Sequence, residues 1–131
     1  MRAPAGRLAV LLALTATGAA AEDLRLAPDA FAALLEGRTA SWSLDGRHYG
    51  RERFGEGRRS THQYPGGRCQ EGVWWDEPGD VLCFRYGSRS CWTVHREADG
   101  DIYAMTVDRT LRLDLESIDD GPLNCDGEPV G

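Results

Sequence analysis

Four cysteines are the residues with the clearest chemistry in this sequence: Cys69, Cys83, Cys91 and Cys125. Stretches of 13, 7 and 33 residues separate them. A redox-active pair or a zinc site normally holds two cysteines within a few positions of each other, as in Cys-x-x-Cys. The spacing therefore favours structural disulfides over thiol catalysis or zinc binding.

The spacing also suggests how the cysteines pair. Cys83 and Cys91 lie symmetrically about Gly87, and glycine fits the turn of a β-hairpin. In such a hairpin the two cysteines would lie opposite each other, close enough to form a disulfide. We therefore predict a Cys83–Cys91 bridge, which leaves Cys69–Cys125 as the second, although four cysteines allow three pairings.

Histidines and serines offer no recognised catalytic or metal-binding motif. His48, His62 and His95 do not have the spacing of metal ligands on one strand or helix. Ser88 and Ser90 lie near His95, but no Gly-x-Ser-x-Gly elbow accompanies them. These residues predict neither a hydrolase nor a metal site.

An acidic turn near position 100 is the remaining candidate for metal binding. Glu97, Asp99 and Asp101 resemble the start of a calcium loop. The bidentate glutamate that such a loop needs at its twelfth position is absent, so an Asp-Gly hairpin turn fits better. We therefore expect no metal, no cofactor and no enzymatic activity.

Aromatic residues are the best candidates for ligand recognition. The chain has four tryptophans and four tyrosines, most of which are expected to fill the interior. Neighbouring residues of a strand point to opposite faces, so one of Trp74 and Trp75 should point outward or lie in a barrel mouth. We predict a recognition face made of this tryptophan with nearby tyrosines and arginines: Trp75, Tyr49, Tyr64, Arg51 and Arg68.

The N-terminus has the three parts of a secretory signal peptide. Arg2 and Arg7 precede an uncharged apolar run over residues 8–14, and small residues follow up to Ala21. The apolar run is too short to span a bilayer, so we expect no membrane insertion after cleavage. Cleavage after Ala21 predicts a signal peptide over 1–21 and a single periplasmic or secreted domain over 22–131, where disulfides can form.

One short helix and a series of strands must position these residues. Pro28 and Asp29 are typical of a helix start, and Gly37 of its end. Beyond Gly37, short β-rich segments alternate with glycine-containing turns. The strands are predicted over 39–44, 47–54, 59–64, 69–75, 81–86, 91–96, 101–108 and 110–116. The predicted fold class is mainly β: an antiparallel meander of about eight strands, forming a small barrel or a curved sheet, with one N-terminal helix and two disulfides.

Individual strands differ in which faces are apolar. Leu82 and Phe84 predict one apolar face, which Trp92 and Val94 continue on the next strand. By contrast, residues 59–63 include almost no large apolar side chain. That strand is expected either at a sheet edge or along a polar cavity.

Charge limits the possible partners. After cleavage, 13 arginines and 21 acidic residues would give a net charge of −8, which disfavours nucleic acid and anionic membranes. Arginines are concentrated between Arg38 and Arg68, and acidic residues from Glu97 onward. The two regions either neutralise each other across adjacent strands or form a basic face for an anionic ligand and an acidic face for a basic partner.

Three stretches carry a resemblance to known proteins. Leu-Glu-Gly-Arg-Thr at 35–39, Gly-Val-Trp at 72–74 and the cysteine hairpin over 83–91 resemble small exported bacterial proteins of uncharacterised families. This resemblance implies a barrel-like fold and no activity. A more limited likeness is to small-barrel periplasmic lysozyme inhibitors, whose loop has the pattern Ser-Gly-x-x-Tyr. Here Gly100 and Tyr103 match, and Asp99 replaces the serine.

Two functions are consistent with these features, and a hydrolase without a recognisable motif is the third and least supported alternative. The first is a non-enzymatic exported binding module of the cell envelope, which binds a small molecule or an envelope component through its aromatic and arginine face. The alternative is an inhibitor or partner of a basic envelope enzyme such as lysozyme, through the turn from Asp99 to Tyr103.

Overall fold

A computed structural model of the protein describes residues 2–3, 6, 9–13 and 24–126. Most of the predicted signal peptide, residues 1–21, lies outside the described residues, as does the end of the chain from 127 to 131. No helix within the described stretches is long and apolar enough to cross a membrane.

Within the described residues, the fold consists of nine strands and one helix. The strands are β1 (Leu24–Leu26), β2 (Thr39–Leu44), β3 (Arg47–Phe54), β4 (Arg59–Gln63), β5 (Cys69–Glu77), β6 (Val81–Tyr86), β7 (Ser88–Arg96), β8 (Ile102–Thr106) and β9 (Arg112–Asp119), and the helix is α1 (Pro28–Leu35). From β2 to β9 each strand pairs antiparallel with the next, and β9 pairs with β2. This closes an eight-stranded barrel, which confirms the predicted fold class and selects the barrel over the curved sheet.

Strand β1 lies outside the eight-stranded circuit. It pairs with the end of β7, where Leu24 faces Arg96 and Leu26 faces Val94. The pairing of β6 with β7 stops at Leu82 and Trp92. Strand β1 pairs with the remaining residues of β7 on that same side. This strand leads the chain directly into the helix.

Helix α1 closes one end of the barrel. Pro28 lies in the first turn of the helix. Gly37, just beyond the end of the helix, has a positive φ of 76°, and its N–H donates to the Phe54 carbonyl. The buried Phe31 packs edge-on against Phe54 and Trp74, with ring centroids 5.4 and 5.5 Å away. The apolar stripe of the helix therefore forms the floor of the barrel.

The barrel interior follows the predicted alternation. Leu82, Phe84 and Val94 are buried inside, as expected. Trp74 is buried among these core residues, whereas Trp75 points outward, which confirms that the two tryptophans lie on opposite faces.

Strand bounds differ from the prediction mainly around the cysteine hairpin and at the end of the barrel. Strand β7 begins at Ser88 because Tyr86 and Ser88 still pair next to the single turn glycine, Gly87. Strand β9 runs on to Asp119 because it pairs with β2 up to Thr39. Asp119, the last residue of β9, therefore belongs to the barrel wall.

Both predicted disulfides form. Cys83 and Cys91 face each other on β6 and β7, and Cys69 is bonded to Cys125. The second bridge fixes the irregular C-terminal segment to the outside of the barrel, where the Asp126 N–H also donates to the Gly67 carbonyl at 2.8 Å. With no free cysteine left, the chain is suited to an oxidising compartment.

Two ion pairs join the arginine-rich region to the acid-rich region. Arg38 pairs with Asp120 at 3.1 Å, and Arg51 pairs with Asp119 at 3.4 Å. Closure of the barrel brings these regions together, because β2 lies between β3 and β9. These pairs agree with the first of the two interpretations of the charge pattern, although Arg51 reaches across β2 rather than to an adjacent strand.

Candidate functional site

A cavity of about 320 Å³ lies inside the barrel. Eight strands enclose a space that side chains either fill or leave open for one small ligand. Here the volume is at the lower end of the range of ligand pockets, roughly 300–1,000 Å³. Aromatic side chains supply much of the wall: Trp42, Tyr49, Tyr64, Phe84, Tyr86 and Trp92.

The cavity opens at the end of the barrel opposite helix α1. Phe31 contributes to its floor. At the other end its lining includes Tyr64 and Ser88, which are both exposed and lie where strands β4 and β6 turn into their neighbours. A molecule entering here would reach the interior without displacing the helix.

A polar cluster lies within the aromatic wall. Glu52 on β3 and His62 on β4 are directly opposite each other, and both are buried. The Tyr86 hydroxyl on β6 donates a hydrogen bond to Glu52 Oε2 at 2.7 Å. The Ser60 hydroxyl is also hydrogen-bonded to the Tyr86 oxygen. Three strands therefore contribute to one connected polar group.

Burial controls the charge state of Glu52. Loss of hydration raises the pKa of its carboxyl from 4.5 to about 7, although the Tyr86 hydroxyl and the Trp42 indole N–H act in the opposite direction. The indole nitrogen of Trp42 lies near the carboxyl but has no aligned hydrogen-bond partner. Burial and the nearby Glu52 charge also raise the pKa of Tyr86, so its phenol remains a hydrogen-bond donor.

His62 is held neutral in the same cluster. Burial, with a further contribution from His48, lowers the pKa of its imidazole from 6.5 to about 4. The ring contacts Tyr64 with a centroid distance of 4.5 Å and Tyr86 with one of 5.7 Å. Its Nε2 atom is buried and has no hydrogen-bond partner within the described part of the chain. This ring nitrogen therefore lacks a hydrogen-bond partner although it is out of contact with solvent.

Two glycines make room for the rings of the cluster. A Cβ atom on Gly50 would lie 2.8 Å from His62 Nε2, and one on Gly72 would lie 2.5 Å from Tyr86 Cδ1. Each ring therefore lies directly on backbone that has no side chain. This gives a physical reason for the glycine in the Gly-Val-Trp stretch at 72–74.

A β-bulge turns Tyr49 into the cavity. Between β2 and β3, Trp42 pairs with Gly50 and Ser43 with His48, so Tyr49 is an extra residue in its strand. An inserted residue shifts the alternation of faces, which allows Tyr49 and Gly50 to share the inner face. The predicted recognition residue Tyr49 is therefore part of the cavity wall.

The five predicted recognition residues do not form one surface. Tyr49 and Tyr64 line the cavity, and Arg68 lies exposed in the turn at the mouth end, where its carbonyl accepts the Tyr64 N–H at 2.8 Å. Arg51 points outward to Asp119. Trp75 also lies outside, with its indole N–H bonded to Glu77 and with Arg85 and Arg89 beside its ring.

Sequence reasoning missed the centre of the site. Glu52, His62, Trp42, Tyr86 and Trp92 were not predicted as ligand-binding residues. The polar segment over residues 59–63 could have revealed these residues, because it was predicted to lie either at a sheet edge or along a polar cavity. Because β4 lies between β3 and β5 in a closed barrel, the edge alternative is excluded, and Ser60 and His62 provide the polar wall.

The other sequence candidates lie apart from the cluster. Ser88 and Ser90 line the cavity, but His95 is stacked on Tyr103, with ring centroids 4.8 Å apart, on the outer side of β7. The acidic residues around Gly100 form the predicted hairpin turn, in which the Asp101 N–H donates to Asp99. His95 is therefore not brought together with Ser88 and Ser90.

Comparison of the chain with protein-family models, with curated proteins and with solved structures found no match. The cavity itself is therefore the basis for a functional argument. Its apolar rings can bury a small molecule, and its few converging polar atoms can fix the orientation of that molecule.

Proposed function

We propose that this protein is a non-enzymatic, exported binding protein, periplasmic or secreted, that holds one small organic molecule inside its barrel. The supporting observation is the open cavity of about 320 Å³, which combines aromatic walls with a compact polar cluster. The proposal places the recognition site in the interior instead of on the expected aromatic and arginine face. It keeps Tyr49 and Tyr64 as ligand contacts.

The scaffold around the cavity favours binding. Backbone pairing around the full barrel fixes the wall, and two disulfides tie β6 to β7 and the C-terminal segment to β5. A preformed site loses little conformational freedom when it binds, so more of the contact energy contributes to affinity. The predicted N-terminal export signal and the paired cysteines support function outside the cytoplasm.

The proposal is tested by measuring thermal shift and tryptophan fluorescence of the protein in the presence of small aromatic compounds. A ligand at 100 times its Kd should stabilise the oxidised protein by about 2.7 kcal/mol. Ser88→Trp should block the mouth and remove this shift, because Ser88 is exposed and lines the opening. Val73→Trp places the same ring on the exposed outside of β5 and should bind normally. Equal binding by both variants would contradict an interior site.

A second function is supported by a different part of the molecule. Asp99 and Asp101 are exposed at the closed end, and carboxylate oxygens of Glu97, Asp99 and Asp101 lie within 4.8 Å of one another. This turn could bind a basic envelope enzyme such as lysozyme, in line with the likeness noted for Asp99 to Tyr103. Arg112 partly offsets the charge, because it pairs with Glu97 at 2.7 Å.

Salt and charge variants distinguish this second function. Binding to lysozyme should weaken steeply between low and high ionic strength, and it should weaken further in Asp99→Asn. Asp45→Asn is the matched control, because Asp45 is an exposed turn residue at the opposite end of the barrel. Binding that is insensitive to salt and to Asp99→Asn would exclude this turn as the contact.

A further inference from the structure

Glu52 carries the one carboxyl group among the residues that line the cavity, and none of these residues is an arginine. The chain contains no lysine. A carboxylate can accept about four hydrogen bonds, and Tyr86 supplies one of them to Glu52. Glu52 therefore has unused acceptor capacity and no cationic partner in the wall around it.

The neighbouring groups also suit a cation. His62 is opposite Glu52 on the adjacent strand, and with its proton on Nδ1 the buried, unpaired Nε2 is an acceptor. Tyr49, Tyr64 and Trp42 present rings around the same part of the cavity. Aromatic faces attract cations, most strongly where water is excluded.

Electrostatics disfavour the other ligand classes. An anionic ligand would meet the Glu52 carboxylate without a positive charge in the wall to balance it. A neutral ligand would leave the carboxylate without a counter-charge. The excess of acidic over basic residues on the whole chain would also favour the approach of cations over anions.

We infer that the ligand is a small primary amine in its ammonium form, whose nitrogen donates to Glu52 and to His62 Nε2 and whose apolar body lies among the aromatic rings. This inference rests on the proposed function, because it identifies the class of molecule that the cavity holds. It assigns Glu52 as the residue that selects for charge, and His62 as a second acceptor.

Three probes of similar size test the inference: 2-phenylethylamine, the neutral 2-phenylethanol and the anionic 3-phenylpropionate. At pH 8 the amine should bind the oxidised protein at least about tenfold more tightly than the alcohol, and the carboxylate should bind most weakly. Glu52→Gln should reduce the advantage of the amine to about twofold or less. Glu71→Gln, which alters an exposed acid on the outside of β5, should keep the full advantage.

Two measurements on the unmodified protein keep the test valid if Glu52→Gln does not fold. The indole N–H resonances of Trp42 and Trp92 should shift on amine binding, whereas that of Trp75, which lies outside, should not. Amine affinity should also fall as pH drops below about 7, because Glu52 becomes protonated there. The titratable groups that face Glu52 are Tyr86, Tyr49 and His62, and none of their pKa values is moved toward 7.

Failure of this inference can be told from failure of the proposed function. If the alcohol binds as tightly as the amine, or if Glu52→Gln keeps the tenfold advantage, the cavity binds small molecules but does not select amines. If none of the three probes shifts the Trp42 and Trp92 resonances, the cavity is not a binding site for molecules of this size, and both proposals are overturned.

Discussion

The Tyr86 hydroxyl donates a 2.7 Å hydrogen bond to the Glu52 carboxyl across the interior of the barrel. The two residues lie on β6 and β3, which are separated by two intervening strands. Hydrogen bonds between backbone atoms connect only adjacent strands, so this contact links opposite parts of the wall. It also supplies a buried carboxyl with one of the few donors within reach.

Removing the Tyr86 hydroxyl should therefore affect both stability and the charge of Glu52. Tyr86→Phe should raise the Glu52 pKa above its present value of about 7, since the hydrogen bond favours the ionised form. It should also destabilise the fold by about 1–3 kcal/mol, because a buried acceptor loses its donor. Urea unfolding and carbon-detected NMR titration of the Glu52 carboxyl measure the two effects.

Tyr64→Phe is the matched control for this prediction. The Tyr64 hydroxyl also donates a hydrogen bond, but its acceptor is the neutral amide of Gln70, at 2.8 Å, near the exposed mouth. This variant should change stability less and should leave the Glu52 pKa unshifted. A Glu52 pKa that is the same in both variants would show that the Tyr86 contact does not influence the carboxyl.

The pH dependence of stability should reveal Glu52. In the unfolded chain its carboxyl ionises near 4.5, whereas in the fold its pKa is about 7. Glu52 therefore binds more protons in the folded state between these values, and its contribution to the free energy of unfolding falls as pH rises from 4.5 to 7. Glu52→Gln should remove this loss, which is at most about 3 kcal/mol for a shift of this size. Urea midpoints across this pH range measure it.

His62 should produce the opposite pH dependence. Its pKa is lowered from 6.5 to about 4, so the unfolded state binds more protons between these values and stability rises with pH. Across the shared interval the two contributions oppose each other, and the unmodified protein should show a nearly flat profile. His62→Gln should then lose stability as pH rises, and Glu52→Gln should gain it. Parallel profiles for the two variants would contradict this assignment.

The sequence predicted the architecture better than the centre of the site. Helix α1, the barrel and both disulfides follow from local signals, namely helix end residues, turn glycines and the symmetry of Cys83 and Cys91 about Gly87. Glu52 is different, because it lies between Arg51 and Arg53 in a strand with charged residues on both faces. Whether such a residue points inward depends on barrel closure, which brings distant strands together.

Tyr49 illustrates the same limit at the level of one residue. It was predicted as a ligand contact, grouped with the outward tryptophan and nearby arginines. A regular alternation from the buried Phe54 and Glu52 back along β3 would also place Tyr49 outside. The bulge opposite Trp42 and Ser43 reverses this, and the position of a bulge is set by pairing with β2 rather than by the residue itself.

The two disulfides should differ in what they contribute to stability. The Cys69–Cys125 bridge joins residues 56 apart in sequence, whereas Cys83–Cys91 joins residues 8 apart on paired strands. On the chain-entropy model these loops correspond to about 4.2 and about 2.6 kcal/mol, because the longer loop restricts the unfolded chain more. Urea unfolding of the double variants Cys69→Ala/Cys125→Ala and Cys83→Ala/Cys91→Ala measures the difference. A larger loss of stability in Cys83→Ala/Cys91→Ala than in Cys69→Ala/Cys125→Ala would mean that native-state contacts outweigh loop length.

Gly72 should tolerate no side chain, because Tyr86 lies directly on it. A Cβ atom there would be 2.3 Å from the Arg85 carbonyl oxygen and 2.5 Å from the Tyr86 ring. Gly72→Ala must therefore displace β6 and weaken the hydrogen bond from Tyr86 to Glu52. We expect a loss of more than about 2 kcal/mol in urea unfolding, in the upper part of the range for single substitutions.

Gly55→Ala separates this steric effect from the general cost of replacing glycine. Gly55 does not have a positive φ, and a Cβ atom there would make ordinary contacts at 3.7 Å with the Arg59 carbonyl. This substitution should be neutral or slightly stabilising, because it restricts the unfolded chain. The Gly72→Ala variant should also show a changed Glu52 pKa, which Gly55→Ala should not. Equal losses of stability in the two variants would show that the contact between Tyr86 and Gly72 does not constrain the barrel wall.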